Sequence, residues 1–417
     1  MSASSLDKFK VDHLFLLVGE NPLPNYIAAR TLLKDNGTVY LVFTNHTTKQ
    51  KGFLLEALNQ YNIKCEGIDL ANYESNSYHI RNTLHKRIKS LPPGIIGLNY
   101  TGGTKAMAVH AYKAIEEFAQ EFNRDVRFSY LDPRKLKMCI DQPNNKPLEF
   151  HVPLHLSLKE IFNLHDNKWR DDKPPQSKPV LKDAAAKFAE FHENIQLANE
   201  WRDWCNDQLH SLKDGGFWKS EDELKSISSI SLQGLSKTIK NIISQELGVF
   251  NENIKLPEVK KKGFSNLTQI CEWLDGIWLE SYVLAKVQEI QNEFGIKESM
   301  MSFHIKDPQS RKERDRFEFD VAFIKGYQLF AISCTTSMKK KLCKEKLFEA
   351  HLRARQLGGD EARVALVCFS DRPEWIKDDM RFAIDDRKIE VFGIDDIENL
   401  ADGIADWIES NNREANA

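Results

Sequence analysis

No apolar run in this 417-residue sequence approaches the ~18 residues that a membrane-spanning helix needs. The first ten residues, MSASSLDKFK, also lack the apolar core of a secretion signal. The seven cysteines are odd in number, scattered and without a CxxC pair, which argues against a disulfide framework and against a zinc site. These absences predict a cytoplasmic protein with no membrane partner.

A large excess of one charge is also missing, since the net charge is only -3. That balance excludes a globally basic nucleic-acid coat but permits a local basic groove. The chain is long enough for two or three domains with cores of their own. Its chemistry must therefore be sought in local patterns.

Apolar runs alternate with amphipathic stretches of helix length between residues 11 and 152. This pattern predicts a parallel sheet with helices on both faces. In such sheets ligands bind beyond the carboxyl ends of the strands, and three polar loops fall there: GENPLPN at 19–25, TNHTTKQK at 44–51 and TGGTK at 101–105. We therefore expect the three loops to converge on one rim.

The loop TGGTK joins an apolar strand to a helical pattern. Its glycines permit a sharp turn and the close approach of a ligand, and the start of the helix favours an anion. The loop is not a P-loop and does not match GxGxxG, so ATP hydrolysis and dinucleotide binding lose support. The motif alone leaves open a structural alternative, a tight turn whose helix is capped by Thr101 or Thr104.

Two acidic residues stand at costly positions in the last third of the sequence. Glu280 falls on an otherwise apolar stripe of a predicted helix, and Asp320 shares one face of the predicted strand FEFDVAF with Glu318. That strand begins a predicted hairpin that turns at Lys325-Gly326. An acid on a strand facing a glutamate on a helix suits a hard divalent cation, although Glu280 at a helix end reaching solvent is an alternative. The residues that predict a single apolar face of the strand are Phe317, Phe319, Val321 and Phe323.

The string NYTGGTKAM after a strand, with GENPLPN after the first strand, resembles the CARF domain of CRISPR-associated effectors over residues 11–152. The resemblance implies a Rossmann-like fold and a homodimer that binds cyclic oligoadenylate, with the tetra-adenylate favoured. The near two-fold symmetry of that phosphate ring suits a dimer that presents one rim twice. The implied ligand-binding residues are Asn21, Pro24, Asn25, Thr44, Asn45, Thr101, Gly102, Gly103, Thr104 and Lys105.

Residues 267–400 resemble the PD-(D/E)xK nuclease half of CARF-containing CRISPR ancillary nucleases, on the strings WLESYVLAKV, FEFDVAFI, LFAISCTTS and FEAHLRARQLGG. The two resemblances imply an α/β protein with a CARF domain at 1–152, a linker and mostly helical connector at 153–262, and a restriction-endonuclease-like nuclease domain at 263–417. They also imply Mn²⁺ or Mg²⁺ on Glu280 and Asp320. The implied substrates are single-stranded DNA or RNA, or plasmid DNA that is nicked.

The second strand departs from the family pattern, which has an acid, any residue and a lysine where this chain has Ser333, Cys334 and Thr335. In one interpretation the charge has moved to the following helix, where Lys346 supplies the cation, with Lys339, Lys341 and Lys344 as alternatives. Cys334 is a poor nucleophile, because no histidine lies near it in the sequence. In that helix Glu345 lies in register with Leu342, Phe348 and Leu352. The implied catalytic residues are then Glu280, Asp320, Ser333, Thr335, Glu345 and Lys346.

Two other interpretations stay open. A degenerate nuclease fold would sense the same ligand and bind nucleic acid or protein without cutting, whereas a metabolic protein of Rossmann type would bind an ordinary mononucleotide. Basic residues flank the acidic pair at 311–316 and 339–355. They favour a groove for a phosphate backbone, with a solvated helix face as the alternative.

Overall fold

The structure is a computed structural model that describes residues 3–143, 145–227, 229–248, 252–308, 315–384 and 389–414. Two large sheets organise the chain, and a helical region lies between them in sequence. Among the described residues, no helix combines the length and the apolar character needed to cross a membrane. The basic residues Arg311, Lys312 and Arg314 lie outside the described residues.

The first sheet has seven strands. These are β1 (Val11–Leu17), β2 (Leu33–Phe43), β3 (Lys64–Asp69), β4 (Ile96–Asn99), β5 (Val126–Asp132), β6 (Lys137–Gln142) and β7 (Asn145–His151). The helices between them are α1 (Leu23–Leu32), α2 (Thr48–Asn59), α3 (Ser77–Lys89) and α4 (Lys105–Phe122). The spatial order is β3-β2-β1-β4-β5-β6-β7. The first five strands pair in parallel, as predicted, while β6 and β7 add an antiparallel edge that the sequence pattern did not indicate.

Short helices and two-residue strand pairs make up the middle region. The helices are α5 (Leu158–Leu164), α6 (Lys182–His192), α7 (Ile195–Trp204), α8 (Glu221–Ser226), α9 (Lys237–Leu247), α10 (Leu256–Lys260) and α11 (Leu267–Glu272). The strands are β8 (Lys213–Asp214), β9 (Phe217–Trp218), β10 (Ile230–Ser231) and β11 (Asn253–Ile254). The domain boundaries at 152 and 262 stay predictions.

The second sheet has five strands. The last elements of the chain are α12 (Trp278–Phe294), β12 (Ile296–Lys306), β13 (Asp315–Lys325), β14 (Gln328–Cys334), α13 (Lys340–Gly358), β15 (Arg363–Val367), α14 (Pro373–Ile384), β16 (Ile389–Phe392) and α15 (Leu400–Glu414). The strands lie in the order β12-β13-β14-β15-β16, antiparallel up to β14 and parallel beyond it. The hairpin at Lys325-Gly326 is confirmed, whereas β12 was not predicted.

The helix predicted across Glu280 is not continuous. A π-helical turn at Trp273–Ile277 separates α11 from α12, and Gly276 within it has an extended backbone with φ 172°. Such turns insert into helices at functional sites and bend them. Glu280 therefore lies in the first turn of α12 rather than in the middle of a long helix.

The apolar face predicted for β13 changes sides at Asp320. Phe317 and Phe319 pack in one core cluster, whereas Val321 and Phe323 pack in another. Opposite Asp320 lies Ser302 of β12, whose backbone has φ 57°. This left-handed conformation interrupts the alternation that a regular strand would keep.

Apolar packing connects the unit of the first sheet to the unit of the second sheet. One core cluster joins α1 and α5 to β13, β14 and α13, so apolar side chains of both units share it. The polar segment at 165–179, which lies in the predicted linker and connector, also packs, since Trp169 and Gln176 bridge to β12. The predicted α/β class, with a Rossmann-like first sheet and a second α/β unit, is confirmed.

Candidate functional site

The three polar loops of the first sheet do converge. They line a cavity of about 560 Å³ at the carboxyl ends of β1, β2 and β4. Of the residues predicted to bind ligand, those that line it are Asn21, Pro24, Thr44, Thr101, Gly102, Gly103 and Thr104. Asn25, Asn45 and Lys105 lie beside the cavity rather than in its wall.

The two glycines of TGGTK are needed for the turn itself. Gly103 has φ 74°, a conformation that residues with a Cβ rarely adopt. A Cβ on Gly102 would collide with the carbonyl oxygen of Leu17 at the end of β1. The turn therefore brings backbone N–H groups close to the cavity at the start of α4, where the helix dipole favours an anion.

The threonines of the same loop hold it in place. The Thr104 hydroxyl caps α4 by accepting the N–H of Met107 at 3.1 Å. The Thr101 hydroxyl accepts the N–H of Leu131 at 2.7 Å and donates to Asn99 at 2.8 Å. A tight turn with a threonine helix cap and a ligand-binding role are therefore compatible in this loop, because the threonine side chains hold the turn while its backbone faces the cavity.

The asparagines of the other loops differ in position. Asn25 is buried and donates to the carbonyl of Leu17 at 3.0 Å, so it supports the rim from behind. Asn45 is exposed and donates to Asn72 at 2.8 Å. Asn21 lies in the cavity wall, where its Nδ2 donates to Oε2 of Glu361 at 2.9 Å.

Acidic residues in the cavity wall were missed by the sequence analysis. Glu20 and Glu74 come from the first sheet, whereas Asp360 and Glu361 come from the turn after α13. No local motif indicates the second pair, because it reaches the cavity only through packing between the two units.

A second cavity, of about 500 Å³, forms an open cleft on the second sheet. It brings Glu280 and Asp320 together, as predicted, with Glu318 and Glu272 in the same wall. Ser302 donates to Oε2 of Glu280 at 2.6 Å. The Ser333 hydroxyl and the Cys334 N–H both donate to Oδ2 of Asp320, at 2.9 and 2.6 Å.

Each carboxylate keeps one oxygen available. Among the described residues, none donates to Oε1 of Glu280 or to Oδ1 of Asp320. Burial raises the pKa of Glu280 well above its usual range, and the charge of Asp320 adds to that effect. Burial also raises the pKa of Asp320, against the Cys334 N–H and the charge of Lys346. The negative charges of the two carboxylates repel each other, and a hard divalent cation bound to both would offset that repulsion.

The Ser-Cys-Thr strand end supports the acidic pair without replacing a lysine. Ser333 orients Asp320 through its hydrogen bond, and Thr335 lines the cleft. Burial raises the pKa of the Cys334 thiol, and the charges of Asp320 and Glu280 act in the same direction. A thiol held neutral is a poor nucleophile.

Of the two helix residues predicted to act here, the structure places only Lys346 at the cleft. Lys346 lines both the cleft and a smaller cavity that contains Asp320 and Ser333. Glu345 is exposed and lies 3.9 Å from Lys341, because the stripe it shares with Leu342 faces outward. The buried stripe of α13 consists of Cys343, Leu347, Ala350, Ala354 and Leu357.

A further group of ligating side chains borders the cleft. His304 Nδ1 lies 3.1 Å from Asp315 and 3.4 Å from Glu318, and single ligand atoms of the three lie within 4.8 Å of one another. Burial lowers the pKa of His304, but the two carboxylates outweigh it and raise the pKa. Sequence reasoning missed this group, because its central residue, His304, lies on β12, which was not predicted.

We expect Asp320→Asn to stabilise the metal-free protein more at pH 8 than at pH 4, close to the unfolded pKa of the aspartate. The folded pKa is raised, so the unfolded chain loses its proton first. Wild-type stability therefore falls as the pH rises from the unfolded pKa of about 3.9 to the folded pKa. The gain is about 1.4 kcal/mol for each pKa unit between the two states. Thermal unfolding in chelator measures it, with the exposed Asp378→Asn as control; equal shifts at both pH values would contradict it.

Comparisons with known proteins match both halves of the chain. Residues 14–161 match the family model of the Card1 CARF domain, and residues 269–411 match that of the Card1-like endonuclease domain. In sequence, none of the curated proteins matches the chain.

Two solved structures share the fold over nearly the whole chain. Protein VC1899 from Vibrio cholerae is 16% identical, with a TM-score of 0.74, covering 96% of this chain and 98% of that one. Can2 from Sulfobacillus thermosulfidooxidans, in complex with cyclic tetra-adenylate, is 15% identical, with a TM-score of 0.68, covering 95% and 99%. At these identities the likeness establishes the arrangement of elements only.

Proposed function

Because this chain belongs to the CRISPR ancillary nucleases that join a CARF domain to a Card1-like endonuclease domain, we propose that it is a metal-dependent nuclease of type III CRISPR defence that cyclic oligoadenylate activates. The observation that carries the proposal is the pairing of a rim cavity, where the TGGT turn meets the start of α4, with a cleft whose two carboxylates each keep one oxygen available. Cyclic tetra-adenylate is the favoured activator, and a homodimer would present the rim twice.

The rim has groups that suit both parts of an oligoadenylate. Backbone N–H groups of Gly102 and Gly103 at the start of α4 suit phosphate. The carboxylates of Glu20 and Glu74 suit the exocyclic amines of adenine, because they accept hydrogen bonds. Can2, a structural neighbour, is described in complex with cyclic tetra-adenylate.

The rim cavity and the acidic cleft are connected through α13. The turn that carries Asp360 and Glu361 joins α13 to β15, and α13 carries Lys346. An anion that enters the cavity is repelled by these two carboxylates unless the turn moves. The ligand then binds the moved arrangement more tightly, which is what a shift of population requires.

The residues of the cleft would have separate roles in phosphodiester hydrolysis. Glu280 and Asp320 would hold the cation, oriented by Ser302 and by Ser333. When bound there, a divalent cation lowers the pKa of a water and offsets charge on the phosphate. Lys346 adds a positive charge beside the same phosphate, where negative charge develops in the transition state.

The proposal is tested by incubating the full-length protein with labelled single-stranded DNA, single-stranded RNA and supercoiled plasmid in Mn²⁺. Each reaction is run with and without cyclic tetra-adenylate. We expect cutting that requires both the ligand and the metal. No cutting of any substrate, with ligand binding shown by calorimetry, would favour the alternative below.

The alternative is a protein that senses the ligand and binds nucleic acid or protein without cutting. The neutral residues Ser333 and Thr335 favour it, because neither supplies the lysine charge of the family pattern. Tight ligand-dependent binding of an oligonucleotide without any cleavage would identify it.

We expect Lys105→Gln to weaken binding of cyclic tetra-adenylate about tenfold at low salt, since a lost charge-assisted contact costs about 1.5 kcal/mol. Lys105 is exposed at the first position of α4, where the helix dipole disfavours a cation, so its removal should not destabilise the fold. Calorimetry measures the affinity. Lys113→Gln on the same helix is the control, and an unchanged affinity in Lys105→Gln would remove Lys105 from the site.

A further inference from the structure

A third cavity, of about 270 Å³, adjoins the acidic cleft on the side of the middle region. The two share Asp275, Thr335 and Thr336, so they meet at the loop after β14. Trp201 and Arg202 of α7 also line this cavity. A nucleic-acid strand with its reacting phosphate at the cleft would therefore place a neighbouring nucleotide at this cavity.

Two cations in the wall of this third cavity, Arg202 and Lys339, have no carboxylate partner among the described residues. The acidic residue of the wall, Asp275, pairs instead with His210 and Lys213. Arg202 donates to the carbonyl of Thr336 at 3.1 Å and to Asn199 at 3.0 Å, both of which are neutral acceptors. Lys339 also lines the cavity. No carboxylate of the described residues lies within 4 Å of either cation, whereas Lys340 and Lys344, farther along α13, both pair with Asp379. Fixed cations without a carboxylate suit a phosphate.

The interior of the cavity suits a nucleobase. Trp201 and His192 are nearly fully buried behind its wall, because both rings pack on other aromatic rings of the protein. They therefore give the cavity a tightly packed, apolar floor rather than a free stacking surface. His192 Nδ1 lies 2.7 Å from the carbonyl of Phe188, so Nδ1 carries the hydrogen and Nε2 is an acceptor. The volume is below the ~300–1,000 Å³ of pockets for drug-sized ligands. One base fits this scale, with Ser337 and Asn206 as polar groups at its edge.

We propose that this cavity is a nucleotide subsite of the nuclease, which seats the base next to the reacting phosphate while Arg202 and Lys339 bind the phosphate of that nucleotide. The inference rests on the proposed function and deepens it. A base seated here is unpaired and unstacked from its neighbours, so the subsite selects single-stranded nucleic acid or an opened duplex. It also gives the middle region a role, because α6, α7 and the turns that follow them at 205–210 supply half of the wall.

Binding tests the subsite separately from cleavage. The affinity of the full-length protein for a fluorescein-labelled 20-nucleotide DNA is measured with cyclic tetra-adenylate present and with Ca²⁺ replacing Mn²⁺, over a range of salt concentrations. In the double variant R202Q/K339Q we expect the slope of log affinity against log salt to fall by about 0.7, since the two residues bind one phosphate and each phosphate contact on a single strand contributes about 0.7. The control is K225Q/K237Q, which removes two middle-region lysines that line neither cavity and should keep the wild-type slope.

A second variant tests the base. Asn206 is exposed at the cavity edge, so Asn206→Trp fills the cavity with little risk to the fold. We expect it to bind the normal oligonucleotide about tenfold more weakly, because the base is excluded from the cavity, and an abasic oligonucleotide with nearly wild-type affinity. An unchanged salt slope in R202Q/K339Q, or equal losses for both oligonucleotides in Asn206→Trp, would overturn the subsite. Wild-type binding without cutting in Mn²⁺ would instead overturn the proposed nuclease function.

Discussion

Asp320→Asn is expected to lower the cutting rate at least about 10³-fold and to leave the affinity for cyclic tetra-adenylate unchanged. Asparagine keeps the shape of the side chain and an oxygen that accepts from Ser333 and from the Cys334 N–H. It removes the negative charge that a divalent cation needs. Several kcal/mol of charge stabilisation depend on that cation, and each ~1.4 kcal/mol is a factor of ten in rate.

Single-turnover cleavage of labelled single-stranded DNA measures this loss, with calorimetry for the ligand. Glu318→Gln is the matched comparison, because Glu318 lines the same cleft but pairs with His304 at 3.4 Å. We expect that variant to stay within about tenfold of wild type, as befits a carboxylate at the edge of the site. If Asp320→Asn cut nearly as fast as wild type, the catalytic acid would have to be sought elsewhere.

The sequence identified residues whose chemistry conflicts with their surroundings. Asp320 in an aromatic strand and Glu280 on an apolar stripe were visible because a charge at such a position is costly. TGGTK was visible because its glycines and threonines end a strand in one short string. In each case the conflict is local, so no knowledge of the fold was needed to find it.

The rest of the site depends on contacts between distant segments. Asp360 and Glu361 reach the rim only because α13 packs against the first unit, and no local pattern encodes that contact. The break at Gly276 was missed because the stripe around it keeps helical spacing. Glu345 was expected near Asp320 because its stripe is apolar, but the buried stripe of α13 is the other one.

Lys346→Gln is expected to lower the cutting rate by about 10²–10³, the loss typical of one charge-stabilising group. Lys346 lines the cleft with Asp320, and its charge opposes the rise in the pKa of Asp320 caused by burial. Without that charge the pKa of Asp320 rises further, so the acidic limb of the pH–rate profile moves to higher pH. Lys346→Arg keeps the charge and should keep the limb in place.

Lys341→Gln is the control for this last experiment, because Lys341 lies on the same helix, is 91% exposed at its side chain and faces Glu345. An unshifted profile with normal cutting in Lys346→Gln would show that the cleft works without a lysine from α13. The expected loss of activity would mean that the positive charge, which the family pattern places on the second strand, comes from a helix in this chain. Ser333 on the strand orients Asp320, while Lys346 on α13 supplies the cation. The far end of α13 borders the ligand cavity, so a movement of this helix would change both the affinity for the ligand and the position of the Lys346 charge.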